Sequence, residues 1–194
     1  MNVRFVWLMI LLILQLLYIP ISRIVRGGVV LETPLDAHIP LWPICAIPYL
    51  LSLVWWCGCY TWAAWKMDIH LWKSFLISNF AVVLVSYVIY LVYPTYVHRP
   101  PLPERHSWQI GLVDLIYRLD RPYNAFPSGH TYNAVLIALF WCRWHPQQCW
   151  LWIGMTVIIL LSTLFTRQHN LPDLIGGVAL AAMGYRFGLW WVAR

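Results

Sequence analysis

Charge is scarce in this chain. Only 10% of its 194 residues are Asp, Glu, Lys or Arg, where a soluble domain carries about 25%. A shortage of that size argues against an ordinary soluble domain. Lysine is rarer still, with Lys66 and Lys73 as its two representatives. There is no basic tract and no RNA-binding motif, so the net charge of +6 does not describe a nucleic-acid-binding protein. The five cysteines show neither zinc-finger nor redox-motif spacing. Cys45, Cys57, Cys59, Cys142 and Cys149 lie in or beside apolar runs and read as small buried hydrophobes. No repeat and no linker divides the chain, so one domain spanning residues 1–194 is expected.

What the chain has instead is apolar length. Hydrophobic residues make up 61% of it, including 14 tryptophans and 11 tyrosines, rings that favour the lipid–water interface. A helix needs about 20 apolar residues to cross the hydrocarbon core. Six stretches approach that length: 5–24, 41–65, 71–93, 128–144, 150–165 and 172–192. The first follows Arg4, is too long for the apolar region of a signal peptide and lacks a small-residue cleavage site, so it is expected to stay as a spanning helix. The last carries Gly176, Gly177, Ala181, Ala182, Gly184 and Gly188, small residues that let helices approach closely. Between the third and fourth, residues 107–119 place Trp108, Leu112, Leu115, Ile116 and Leu119 at roughly helical spacing, the pattern of an amphipathic helix lying on the membrane. The expected fold is an all-α integral membrane protein, with six transmembrane helices in one bundle and an active site at one membrane face.

Six crossings put both termini on one side, with the loops around Lys66–Lys73 and Arg143. The other side holds residues 23–38, 95–127 and 167–173, with seven arginines and six carboxylates. Raw Lys/Arg numbers do not separate the faces. Several arginines of the second face look committed to a site, however, and both lysines lie on the first. The positive-inside rule then places the termini in the cytoplasm of a plasma (inner) membrane protein and the polar loops outside.

The second face gathers Arg99, Asp120, Asn124, Ser128, His130, Arg167, His169 and Asp173. In "FPSGH" (126–130), Ser128 is a good N-cap for the fourth helix. The following amides of Gly129 and His130 would face out of a positive helix end, which suits an anion. His169 and Asp173, four apart at a helix start, share one face. A carboxylate on one imidazole nitrogen leaves the other free as nucleophile or base. Arg99 follows the third run, where a guanidinium could reach back over phosphate oxygens. Each stretch alone also has a plain structural reading, as a cap or a boundary residue. Together they suit phosphoryl transfer: one histidine attacks phosphorus, the other protonates the leaving oxygen, and cations hold the remaining oxygens. A metal site of His130, His169 and Asp173 is disfavoured by the arginines nearby. A transporter or scaffold would place such groups at mid-membrane depth rather than at helix ends.

In these residues the chain resembles the type 2 phosphatidic acid phosphatase superfamily of membrane lipid phosphatases and phosphotransferases. Of that family's three motifs, Arg99-Pro100 matches the end of the first, Lys-x6-Arg-Pro. Pro127-Ser128-Gly129-His130 matches the second, and Ser162, His169 and Asp173 match the third, Ser-Arg-x5-His-x3-Asp. The resemblance implies a six-helix core and a metal-independent, cofactor-free lipid phosphatase. In it His169 would form a phosphohistidine oriented by Asp173, and His130 would be the acid for the leaving alcohol. Arg99, Ser128 and Gly129 would bind phosphate, and the substrate would be a phospholipid or isoprenyl phosphate in the bilayer. Two positions depart from the pattern: Val92 stands at the lysine of the first motif and Thr163 at the arginine of the third. Arg167 could stand in for one of them. The stretch 162–177 also looks like the inositol phosphorylceramide and sphingomyelin synthases, and fewer cations would suit a singly charged phosphodiester, which points to headgroup transfer as the alternative activity.

Overall fold

The computed structural model describes residues 3–25, 27–103 and 107–194. Arg26, Glu104 and Arg105, assigned above to the polar face, lie outside the described residues. The first apolar run forms two helices, α1 (Val3–Leu16) and α2 (Tyr18–Ile24), not one. The break follows from Pro20, which has no N–H for the carbonyl of Leu16 and whose ring crowds that turn. Leu17 bonds back to Leu14 instead. α3 (Ala46–Lys66) starts after a tight turn at Pro43–Cys45. α4 (Ile69–Val92) is capped by Asp68, whose side chain accepts from the amides of His70 and Leu71. α5 (Trp108–Leu119), α6 (Gly129–Trp144), α7 (Cys149–Phe165) and α8 (Leu171–Val192) complete the chain.

Four segments are long and apolar enough to cross a membrane: Val3–Ile24, Pro43–Lys66, Ile69–Val92 and Pro146–Phe165. The expected fourth and sixth crossings, α6 and α8, fall outside that group for physical reasons. α6 has 16 residues, a rise of about 24 Å at 1.5 Å per residue. α8 has the length, but Arg186 and four glycines hold its hydropathy down. α6 forms the centre of the bundle, whereas α8 keeps an exposed apolar side with Ile175, Met183, Trp190 and Trp191. α8 packs chiefly on α4 and α6, and α6 also meets α3 and α7. A helix enclosed by other helices need not present an apolar outer face to lipid. Other helices carry such a face as well: Leu84, Val88 and Leu91 on α4, and Ile153, Val157 and Leu161 on α7, are all exposed. Apolar surface of that extent requires a lipid environment, and the chain is an integral membrane protein.

The glycines of α8 set the spacing of the centre. A Cβ at Gly177 would lie 2.7 Å from the Thr131 Cβ and 2.9 Å from the Ser128 carbonyl oxygen. One at Gly188 would collide with the Ser74 carbonyl of α4. The core between them is aromatic, with Trp72, Phe75, Phe140, Trp141, Tyr60 and Tyr90 fully enclosed.

The amphipathic stretch forms a helix whose apolar residues divide between two sides. Val113 and Ile116 pack with Ala46 and Tyr49 at the start of α3, while Trp108, Leu115 and Leu119 remain exposed. The reading of all five cysteines as plain hydrophobes also needs correction. Cys142 and Cys149 form a disulfide across the α6–α7 turn, on the face opposite the polar loops. Spacing seven apart in apolar sequence hides such a pair, because it is the turn at Pro146–Gln148 that brings the two together.

Candidate active site

Three chain turns meet at the polar face. A two-residue parallel pairing of Val29–Val30 with Thr95–Tyr96 ties the segment after α2 to the end of α4. The loop before α6 hangs on the same strand: Asn124 N–H donates to the Thr95 carbonyl and Phe126 N–H to Thr95 Oγ1. Tyr90 in α4 donates to the Pro127 carbonyl at 2.8 Å. These bonds present residues 124–130 to the bundle from one side, and the α7–α8 turn presents residues 166–173 from the other.

Ser128 caps α6. Its Oγ accepts from Thr131 N–H at 3.3 Å, and its own N–H donates to the Asp173 carbonyl at 3.0 Å. That second bond joins the two motif-bearing helix starts directly. The amides of Gly129 and His130 open the helix and have no carbonyl four residues back within it. His130 is pinned by rings: it stacks on Tyr49 at 4.2 Å and lies against Trp56 at 5.0 Å, centroid to centroid. Its Nε2 is buried without a hydrogen-bond partner. The His169 ring stands 6.1 Å from that of His130. His169 Nδ1 faces Asp173 Oδ2 at 3.6 Å, which is beyond a hydrogen bond. Asp173 Oδ2 instead takes the Asn170 amide at 2.8 Å, and Asp173 Oδ1 is unpartnered and buried. Asp173 thus caps α8 and faces the imidazole at once.

The arginines divide. Arg99 Nη1 donates to the Asp120 carbonyl at 2.8 Å, Nη2 donates to Gln168 Oε1, and the guanidinium lies over the Tyr117 ring. Its Nε is buried and unpartnered. Gln168 is adjacent to His169, so Arg99 flanks the site. Arg167 is directed elsewhere. It sits at φ 56°, and its guanidinium is taken up by the carbonyls of Asp36 and Ile39 and by Glu32. It ties residues 32–39 to the α7–α8 turn and does not line the cavity described next. Burial pushes the Tyr117 phenol above its ordinary value, against the pull of Arg99 and Arg167.

A cavity of about 520 Å³ opens beside the histidines. Gly129, His130 and His169 line it. Leu12, Leu16, Ile19, Leu50 and Leu53 make its walls apolar. Leu16, Ile19 and Leu53 are also exposed to the outside, so the cavity reaches the bundle surface between α1–α2 and α3. Among the described residues, no group of three His, Cys, Asp or Glu side chains is placed to hold a metal ion.

Asp120 and Asn124 stood among the polar residues of this face without a role, and the fold puts both in the cavity wall. The Asn124 side chain is buried with both polar atoms unpartnered, at φ 58°, a backbone region that asparagine tolerates better than most residues. The signal in sequence was weak: an Asn three residues before the Pro-Ser-Gly-His motif.

The model of the PAP2 superfamily matches residues 71–194. Over 65 residues the chain is 31% identical to an inositol phosphorylceramide synthase of Candida albicans (strain SC5314 / ATCC MYA-2876), covering 34% of this chain and 14% of that protein. The chain therefore spans only a small part of that relative's length. No solved structure matches it. With both histidines, their aspartate and the capped helix start gathered in the matched region, this chain belongs to the PAP2 superfamily.

Proposed function

We propose that this protein is a lipid phosphatase with six membrane-spanning helices, in which His169 attacks the phosphorus of a phosphomonoester or diphosphate lipid. The observation that carries the reading is the set of unpartnered polar atoms around one apolar cavity. Asn124 Nδ2 and His130 Nε2, on residues that line it, are buried and unbonded, as are Nε2 of Gln168, the neighbour of His169, and Nε of its partner Arg99. Native structures rarely leave such groups unsatisfied, and a phosphate with its ester oxygens supplies acceptors for several at once. The apolar walls suit acyl or isoprenyl chains arriving laterally between α1–α2 and α3.

In the proposed sequence Asp173 faces Nδ1 of His169 and leaves Nε2 as the cavity-side nucleophile. Nε2 forms a bond to phosphorus while the ester P–O bond breaks, and protonated His130 gives its proton to the leaving alkoxide. His130 then takes a proton from water as that water attacks phosphorus, and the His169–phosphorus bond breaks. Arg99, Asn124 and the first-turn amides of α6, beside the Ser128 cap, stabilise the charge on the remaining oxygens. No step draws on a metal or cofactor.

Two observations favour a second reading, headgroup transfer, in which a lipid alcohol replaces water. One is the likeness to an inositol phosphorylceramide synthase. The other is Val92 and Thr163 at two cationic positions of the family pattern, which leaves a site better matched to one negative charge than to two. Incubation with lipid monoesters, diphosphates and diesters, with and without a lipid alcohol and with excess chelator, separates the readings. Phosphate release that is lost in His169→Ala supports the hydrolase. Product that forms only with the alcohol supports transfer. Turnover that survives in His169→Ala contradicts both.

A further inference from the structure

His130, the proposed proton donor, is held in a different way from its partner histidine. His169 faces Asp173, whereas His130 joins no ion pair among the described residues. Its supports are rings. Tyr49 of α3 stacks on the imidazole at 4.2 Å with the planes 25° apart, and Trp56 of the same helix lies against it at 5.0 Å. The Tyr49 ring is itself anchored through its hydroxyl, which donates to Asp120 Oδ2 at 2.9 Å. Asp120 ends α5, and its other oxygen accepts from the Tyr18 hydroxyl of α2 at 2.8 Å. The Asp120 backbone carbonyl accepts from Nη1 of Arg99. One side chain thus couples the imidazole to a carboxylate that α2, α5 and Arg99 hold in place.

A buried imidazolium needs something to compensate its charge. The other cationic groups of the site, Arg99 and His169, cannot do so, since like charge opposes like. A tyrosine face can, because it carries the negative side of the ring quadrupole. A cation over such a face is attracted most where water is excluded. A phenol that donates to a carboxylate is held by one of the stronger hydrogen bonds, so the ring keeps its place as the imidazole gains and loses its proton. The charge of Asp120, acting across a low-dielectric interior, adds to the attraction.

We propose that Tyr49, anchored by Asp120, is a positioning residue for proton transfer: it holds the His130 ring toward the leaving oxygen and stabilises the protonated form. The inference rests on the reading of His130 as the acid and names the residues that equip it for that role. Neither Tyr49 nor Asp120 bonds to phosphorus or exchanges a proton with the substrate.

The leaving group isolates this role. Two substrates share one lipid alcohol, as its phosphomonoester and as its diphosphate. In both, His169 Nε2 bonds to the terminal phosphorus. In the monoester the P–O bond to the alcohol breaks, and the alkoxide takes the His130 proton. In the diphosphate the bridging P–O bond breaks and a phosphate leaves, a weak base with a pKa of about 6 that needs no donor. Leaving-group release is timed in the first turnover, with protein in excess, before the water step that both substrates share. Tyr49→Leu is expected to slow release from the monoester about tenfold, appropriate to one desolvated cation–π contact, and release from the diphosphate far less. Tyr49→Phe, which keeps the ring, should recover most of the monoester rate. Asp120→Asn should slow the monoester selectively as well, and carries the test if Tyr49→Leu does not fold. His130→Ala should show the same selectivity with a larger loss, about 100-fold or more. Equal slowing of both substrates in the Tyr49 and Asp120 variants overturns the proposal, as does a monoester rate that survives them. A His130→Ala protein without the selectivity overturns the acid assignment beneath it, and wild-type protein that cleaves neither lipid overturns the phosphatase reading itself.

Discussion

Replacing Gly177 by alanine should damage the site without touching a single reacting group. The new Cβ would lie 2.7 Å from the Thr131 Cβ and 2.9 Å from the Ser128 carbonyl oxygen, where carbon contacts settle at about 3.5–4.0 Å. α6 and α8 must therefore part by about 1 Å, and overpacking of this kind costs about 1–3 kcal/mol. The same two helix starts are joined by the 3.0 Å bond from Ser128 N–H to the Asp173 carbonyl, so the displacement falls on His130 relative to His169. A misplacement of about 1 Å can cost about 100-fold in rate. We expect a fall in kcat of about 10- to 100-fold, with a Tm lowered by several degrees and KM little changed. Gly154→Ala in α7 is the control, since nothing lies within 4 Å of its new Cβ. The assay is lipid turnover in detergent beside thermal unfolding of both variants. Gly177→Ala turnover within twofold of wild type would refute the claim that close α6–α8 packing sets the histidine geometry.

The two arginines should separate by phenotype. Arg167→Gln removes bonds to the carbonyls of Asp36 and Ile39 and is expected to cost about 1.5–3 kcal/mol of stability with kcat/KM nearly intact. Arg99→Gln is expected to lower kcat/KM about 100-fold, as loss of a transition-state donor does. The reverse pattern would make Arg167 the phosphate ligand. The Cys142–Cys149 disulfide tests orientation. Such bonds persist in oxidising compartments, whereas the lysine distribution leads us to expect this face in the cytoplasm. With the termini inside, both thiols should be reduced in intact cells and label with a membrane-permeant maleimide. A disulfide that resists labelling reverses the orientation.

The helices and the site residues were legible in sequence for different reasons. Apolar length located α3, α4, α6, α7 and α8 to within a few residues, because burial in lipid imposes a run of fixed extent, while α5 was read from its spacing. The break at Leu17 was readable in principle from Pro20, but the run around it is uniformly apolar. The burial of α6 was not, because enclosure depends on which helices surround it. Short-range chemistry was also legible: the Ser128 cap and the His169–Asp173 spacing are local geometry. Long-range partners were not. Arg167 meets residues 36 and 39, and Asp120 meets Tyr18 and Tyr49, across intervals that carry no periodic trace. In α5 the packing of Val113 on α3 was not legible, a choice made by the neighbour and not by the helix.

The most direct test of the central claim is the phosphohistidine itself. The wild-type protein is mixed with a phospholipid substrate, quenched at alkaline pH during turnover, and examined by phosphorus NMR and peptide mass spectrometry. An acid-labile phosphoryl adduct on His169, absent when His169 is replaced, is the predicted result. Unmodified His169 alongside continuing turnover, or an adduct on another residue, would contradict the account.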